Sequence, residues 1–372
     1  MRPLYASAAQ LNGGNAGLWY DKFCDTWHEG WKLSSSSGGK APKLSWIETV
    51  ANGGTVGQPA LLSESAGRLH QLTHARRGTC ALFTTESRFV TGLGRSHPVE
   101  NGFAWHPTLG VPFLPGTSIK GLVRSWVEHN AEPRSDAGDL DRLLGTASAP
   151  RSAGHVVFLD AVPITPVRLE ADVMTPHHAG WTPDDPPGDW REPKPVPFLA
   201  VAPQTALLFS ILPRAIEPQA LERVFHWLCD ALCHAGAGAK TAVGYGRFVH
   251  DEPRTRTWSD ALAKARAAQA AAARRAVLKG TSEGKWLGQL EGKPERDVLD
   301  LVRIHLEKHR IEDPAERRGL ARAVATTPYL ALWRRGETQD KQNIKNSASN
   351  LKARARLVDA ALAEADPEPG RT

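Results

Sequence analysis

GVPFLPGTSIKGLVRSW, residues 110–126, reads as the end of a strand running into a helix, and the rest of the fold is organised around it. Pro115 and Gly116 break the strand and Thr117 stands where it can cap. Ile119, Leu122, Val123, Trp126 and Val127 then follow at the 3.6-residue spacing of a helix buried on one face. Lys120 and Arg124 sit four apart on the opposite face. A helix start presents free N–H groups and the positive end of the helix dipole, so main chain and both bases together could hold a phosphate. The same residues also suit a plain capped amphipathic helix with solvated bases.

A second run, GAGAKTAVGYGRF at 236–248, extends that chemistry. Leu221, Val224, Phe225, Leu228 and Leu232 form a helical stripe that ends at Gly236. Gly238, Gly244 and Gly246 then punctuate a loop carrying Lys240, Thr241, Tyr245 and Arg247. Residues without a Cβ let backbone amides approach a ligand closely. Two cations and one aromatic ring among them suit a sugar-phosphate chain with a base stacked on Tyr245; a C-cap followed by a hairpin turn is the structural alternative. A nucleotide-binding P-loop is excluded by spacing. Counting back from Lys240 and Thr241 puts Ala239 and His234 where its two glycines belong, and the loop follows a helix instead of preceding one.

The two runs resemble the RAMP superfamily of CRISPR systems, whose ferredoxin-like, RRM-related domains carry a lysine-bearing helix after a PGTSIKG-type turn and a late glycine-rich loop. NAGLWYDKF at 15–23, FVTGLGRSHPVENGFAWH at 89–106 and DVMTPHHAGW at 172–181 narrow the likeness, in order, to the sixth RAMP subunit of type III-B effector complexes. The resemblance covers about residues 15–250. It implies a non-catalytic, cytoplasmic RNA-binding subunit for antiviral defence. Such a subunit holds the guide RNA backbone near its 3′ part, beside other RAMP subunits and, through the guide, the target RNA. Carried over residue by residue, it implies RNA contacts at Lys120, Arg124, Gly238, Lys240, Thr241, Gly244, Tyr245, Gly246 and Arg247. No catalytic residue, cofactor or metal is implied.

Composition is consistent with a nucleic-acid partner. The chain has 372 residues, 41% of them hydrophobic, enough for a sizeable core and two or three structural units. A formal charge of +6, from 46 bases against 40 acids, favours an anionic partner but is small for a protein that grips RNA alone. Cys24, Cys80, Cys229 and Cys233 include no CxxC pair, which argues against a zinc knuckle or disulfide framework and for a reducing compartment. No stretch has the length and apolarity of a membrane span, and the first residues do not read as an export signal.

The expected organisation is α+β in three parts. Residues 1–78 form a helical and irregular segment with helix candidates at Leu18–Trp31 and Leu44–Val50, separated by a flexible SSSSGG at 34–39. Residues 79–254 form the ferredoxin-like RAMP domain. Strand signals at Thr79–Thr91, 154–164, 205–212 and Val243–His250, with helices after Gly116 and from Glu217 to Ala235, give the order βαββαβ. A proline-crowded insertion at 165–202, holding Trp181 and Trp190, occupies the place of the family's projecting thumb. Residues 255–372 add an alanine-rich helical extension whose bases, Lys264, Arg266, Arg274, Arg275, Lys341, Lys345, Lys352, Arg354 and Arg356, suit a solvated face, RNA or an acidic partner surface.

Catalysis has candidates but no spacing signal. Asp160, Asp172, His177 and His178 could be drawn as a metal cluster, although adjacent histidines in a strand point to opposite faces. His97, His106, His177 and His234 could serve a metal-independent endoribonuclease that processes guide RNA, the alternative function.

Overall fold

The computed structural model describes residues 14–27, 32, 41–130, 137–146, 152–175, 195–214, 216–339 and 348–364. The chain divides into two compact units, 1–259 and 260–372. In chain order the first unit contains α1 (Ala16–Lys22), α2 (Pro42–Ala51), β1 (Thr55–Val56), α3 (Pro59–Ala75), β2 (Thr79–Thr85), β3 (Ser96–His97), β4 (Glu100–Asn101), α4 (Gly116–Asn130) and α5 (Ala137–Leu144). It continues with β5 (Val156–Phe158), β6 (Val162–Pro163), β7 (Val167–Met174), β8 (Val196–Val201), β9 (Ala206–Pro213), α6 (Pro218–Asp230) and β10 (Phe248–His250).

The main sheet is antiparallel in the order β10–β2–β9–β5, with β6 also pairing β9. Register is set at Phe248 opposite Thr85, Leu82 opposite Leu208, and Phe158 opposite Ile211. Both faces of its centre are covered. Alternate residues of β2 and β9, Phe83, Leu207 and Phe209 among them, join a core with α4 and α6, while Leu82 and Leu208 pack with Ala66 of α3. That is why residues 206–212 read as one unbroken buried run instead of an alternating one.

Several sequence expectations need correction. Helix α3, seventeen residues with Leu62, Ala66 and Thr73 buried, lies within 1–78 in addition to the two helices that the sequence signals there. The insertion at 165–202 is not all loop: β7 and β8 pair from Leu169–Val201 to Met174–Val196, and β1 joins β7 to make a second sheet. Trp181 and Trp190 lie outside the described residues, as do the whole SSSSGG stretch and the residues beyond Trp27 in the first helix candidate. The last strand is shorter than Val243–His250, because 241–243 form a 3₁₀ turn.

The N-terminal helices pack onto the excursion between β2 and α4. Asn15 caps α1 by accepting from Leu18 N at 2.9 Å and donates to the Pro107 carbonyl at 2.7 Å. Trp19 stacks on Trp46 with ring centroids 4.2 Å apart, and Tyr20 stacks on His97 at 4.4 Å. Burial holds the His97 pKa below its ordinary 6.5 despite the Tyr20 carbonyl and Asp21 beside it. The unfolded chain therefore takes up a proton there that the folded chain resists, so this contribution is full above pH 6.5 and is lost as pH falls below it. The urea midpoint of the protein should drop between pH 7 and pH 5.5, and drop less in His97→Gln; equal drops would remove His97 as a source.

Helix α7 (Glu252–Leu278) crosses the division between the units. Its first turns belong to unit 1: Leu82 N donates to Thr255 Oγ1 at 2.9 Å, and Trp258 meets His70 edge-on at 5.4 Å. The boundary therefore falls after Ser259, not at 254–255. Unit 2 packs α8 (Ser282–Leu290), α9 (Glu295–Val302), α10 (Pro314–Ala325), α11 (Tyr329–Arg335) and α12 (Ala348–Ala363) around Val298, Val302, Leu320, Val324, Trp333 and Val358. The buried Glu295 carboxylate accepts from Trp333 Nε1 at 2.7 Å, and from Thr338 Oγ1 and Gln339 N, both at 2.8 Å. Among the described residues no helix is long and apolar enough to cross a membrane.

Candidate nucleic-acid interface

Helix α4 opens against the β5–β6 turn. Gly116 N donates to Asp160 Oδ1 at 2.7 Å, and the Pro115 carbonyl accepts from Ser118 at 2.9 Å and Ile119 at 3.1 Å. Asp160, not Thr117, thus satisfies the first N–H of the helix, and the open helix start that the sequence offered to a phosphate is partly filled. Ile119, Val123 and Val127 form the buried stripe, with Leu122 and Trp126 packed at its edge.

That stripe leaves two polar flanks. Ser118, Leu122 and Ser125, spaced at i, i+4 and i+7, line a groove of about 600 Å³ together with Gly92–Arg95 and Gly236–Ala239. Thr117 and Lys120 turn the other way, into a smaller hollow of about 250 Å³ beside Val157 and Arg214. The structure therefore does not bring Lys120 to the glycine loop. Arg124 continues the second flank and is engaged within the protein. It donates to Glu128 Oε1 at 3.2 Å, Asp141 Oδ1 at 3.3 Å and the Gly145 carbonyl, bracing α4 to α5.

Helix α6 ends in a π-helical turn, Ala231–Ala235, and the loop leaving it is laced to the segment after β2. Ala239 N donates to the Val90 carbonyl at 2.7 Å, Gly246 N to the Arg88 carbonyl at 2.7 Å, and Ala237 N to the Gly246 carbonyl at 2.8 Å. Side chains at two positions would break this lacing. A Cβ on Gly238 would overlap the Val90 carbonyl oxygen, one on Gly246 the Ala237 carbonyl oxygen, and both residues have positive φ, +92° and +71°. The glycines bring two backbones together here; this role was hidden in the sequence behind their apparent use against a ligand.

The polar residues of the loop divide between groove-lining and internal positions. Thr241 lines the groove. Lys240, at φ +62°, lays Nζ 5.3 Å from the Phe198 ring centroid and 3.6 Å from Met174 Sδ. Tyr245 is not a free stacking platform: its ring lies 5.9 Å from Phe198 at 61°, and its hydroxyl donates to Asp172 Oδ2 at 2.5 Å. Burial, then the Asp172 carboxylate, pushes its pKa up to about 12. Arg247 N donates to Ser87 Oγ at 3.2 Å and its guanidinium reaches the Cys233 carbonyl at 3.5 Å.

Arg95 is a groove residue that site reasoning from the sequence missed. It is exposed, and among the described residues no carboxylate lines the groove with it. The GLGR quartet at 92–95 carried a signal, two glycines next to a base, but only the tertiary fold sets it opposite the second glycine loop.

The acid–base candidates have structural occupations. His97 Nε2 lies 3.0 Å from the Tyr20 carbonyl, His106 Nδ1 accepts from Leu109 N at 3.3 Å, and His234 stacks on Trp126 at 5.6 Å. Burial lowers the pKa of both His97 and His106. Asp160 caps α4, and Asp172 holds Tyr245 and Arg88. His177 and His178 lie outside the described residues. Among the described residues no three His, Cys, Asp or Glu side chains gather as a metal site.

Residues 82–249 match the RAMP superfamily. The chain is 30% identical over 228 residues to the CRISPR system Cmr subunit Cmr6 of Pyrococcus furiosus, an alignment covering 45% of this chain and 66% of that protein. It is likewise 30% identical over 173 residues to the CMR subunit Cmr6 of Saccharolobus solfataricus, covering 44% and 55%. The matched region therefore spans a little over half to just under two thirds of the curated relatives. A solved structure, the type III-B Cmr-beta complex bound to cognate target RNA, includes a chain 24% identical with a TM-score of 0.46, covering 56% of this chain and 71% of that one.

Proposed function

As a RAMP-superfamily protein that resembles the sixth RAMP subunit of type III-B CRISPR effector complexes, this chain is, we propose, an RNA-binding subunit of such a complex, without a catalytic role. It holds the guide RNA backbone near its 3′ part and touches target RNA through the guide. The observation that carries this reading is the groove between Gly92–Arg95, the Ser118–Ser125 flank of α4 and Gly236–Ala239 with Thr241. Two glycine-bearing loops expose main chain there, Ser118, Ser125 and Thr241 offer hydroxyls, and Arg95 adds a cation with no acid among the described lining residues. Such a surface fits a phosphate chain and reads no base edge, so binding should be indifferent to sequence at this groove.

The remaining carried-over positions sort by what they touch. Lys240 and Arg247 do not line the groove but stand on the glycine loop beside it, their cations resting on the Phe198 ring and the Cys233 carbonyl, from which RNA leaving the groove can draw both. Lys120 with Arg214 makes a second basic station on the far flank of α4. Gly238, Gly244 and Gly246 shape the loop, while Tyr245 and Arg124 hold it and the helix in place. The strand order β10–β2–β9–β5, with α4 and α6 as the two crossovers, supports a ferredoxin-like core. On the same reading the hairpin β7–β8 stands where the family's thumb is rooted. The absence of a catalytic role is supported by the structural bonds of Asp160, Asp172, His97 and His106.

Purification through a tag on this chain, from cells that contain its partner subunits, should recover a ribonucleoprotein of several RAMP subunits. Its RNA should share repeat-derived ends and have many different interiors. Recovery of the chain alone, free of RNA, would contradict the proposal.

A further inference from the structure

Beside the groove, across the turn Thr241–Val243, lies a second hollow of about 640 Å³ between the glycine loop and β7. We propose that it receives one unstacked nucleobase of the bound RNA. This inference rests on the RNA-binding reading above and adds a base subsite to a surface that otherwise meets only backbone.

Charge separates the two hollows. Arg88 and Arg168 both line the second one, but Arg88 is paired with Glu170 at 2.6 Å and Asp172 at 2.9 Å, and Arg168 with Glu170 at 2.7 Å. Two guanidiniums against two carboxylates leave no net charge, and a phosphate entering there would face the Glu170 carboxylate. The occupant is thus neutral. It must also be able to hydrogen-bond, because guanidinium, carboxylate and carboxamide groups ring the opening.

The walls fit a flat heteroaromatic ring. Val243, 69% exposed, presents an apolar side chain at the end of the turn. Opposite it Gln204 is held at φ +62° by hydrogen bonds at the Thr85–Thr205 corner, its own N donating to the Thr85 carbonyl at 2.7 Å. A left-handed backbone at a non-glycine residue is strained, and it fixes an exposed carboxamide on a rigid support. A carboxamide carries both a donor and an acceptor, the pair that base edges present. Position agrees with chemistry. Thr241 lines the backbone groove, while Val243 and Gly244 line the neutral hollow, so a strand crossing the turn would set a base down beside Val243.

The test uses the full chain with two fluorescent probes of equal length, a mixed-sequence single-stranded RNA and its abasic counterpart. Gln204→Gly removes the carboxamide without changing charge and relieves the positive φ; Val243→Ser removes the apolar wall at a largely exposed position. Each variant should weaken binding of the normal RNA about tenfold, the scale of one base contact, and leave the abasic chain and the salt slope unchanged. Equal weakening for both probes would assign these residues to the backbone, and no weakening for either would leave the hollow without a base; each result overturns the subsite alone. A wild-type chain that retains neither probe overturns the RNA-binding reading with it.

Discussion

Gly246→Ala should destabilise the first unit by about 3 kcal/mol or more, the sum of a left-handed backbone that costs an L-residue roughly 1–2 kcal/mol and the loss of backbone hydrogen bonds worth about 1 kcal/mol each. The residue sits at φ +71°, and an added methyl would overlap the Ala237 carbonyl oxygen. Neither partner can yield cheaply. Gly246 is bonded on one side to Arg88 and on the other to Ala237, so relief of the overlap parts the loop from the residues after β2. Gly244→Ala is the matched control. Its φ is also positive, +96°, but nothing lies within 4 Å of the new methyl, and only the conformational term of about 1–2 kcal/mol remains. Urea unfolding of the two variants should therefore separate clearly. Equal midpoints would mean that the loop is not held as described.

Much of the core was legible because its signals are local. The stripe Ile119, Val123, Val127 and the stripe Leu221, Val224, Leu228, Leu232 are both buried where helical spacing puts them. Two-sided burial made β9 a continuous apolar run. Helix α3 escaped notice because its inward positions include small and polar residues, Ala66 and Thr73, among exposed Ser, Glu and Gln. The prolines crowding 165–202 hid strands β7 and β8, although Pro197 itself stands in β8 opposite Val173.

The site was less legible than the fold, for a geometric reason. A buried stripe on a helix has a polar flank on each side, and periodicity does not say which flank a neighbouring loop will meet. Lys120 and Arg124 lie on one and the groove on the other. Tyr245 looked like a stacking ring, but Asp172, seventy-three residues away in sequence, claims its hydroxyl. Arg95 gained its importance only when the chain brought two glycine loops face to face.

The central claim, that this groove grips an RNA backbone, is most directly tested by the salt dependence of RNA affinity. Arg95, Lys240 and Arg247 are replaced together by Ala, and Arg124→Ala serves as the control. Each phosphate contact on a single strand contributes about 0.7 to the slope of log affinity against log salt, so the triple variant should lose about 2 units of slope. Taking 1 M salt as the point where this contribution vanishes, that loss is on the order of a hundredfold in affinity at about 0.1 M. Binding should weaken alike for unrelated RNA sequences. Arg124→Ala should keep the wild-type slope, because its guanidinium serves Glu128, Asp141 and Gly145. A slope reduced by about 2 in the triple variant and unchanged in Arg124→Ala is the result expected; a folded triple variant that binds RNA with the wild-type slope would contradict the account.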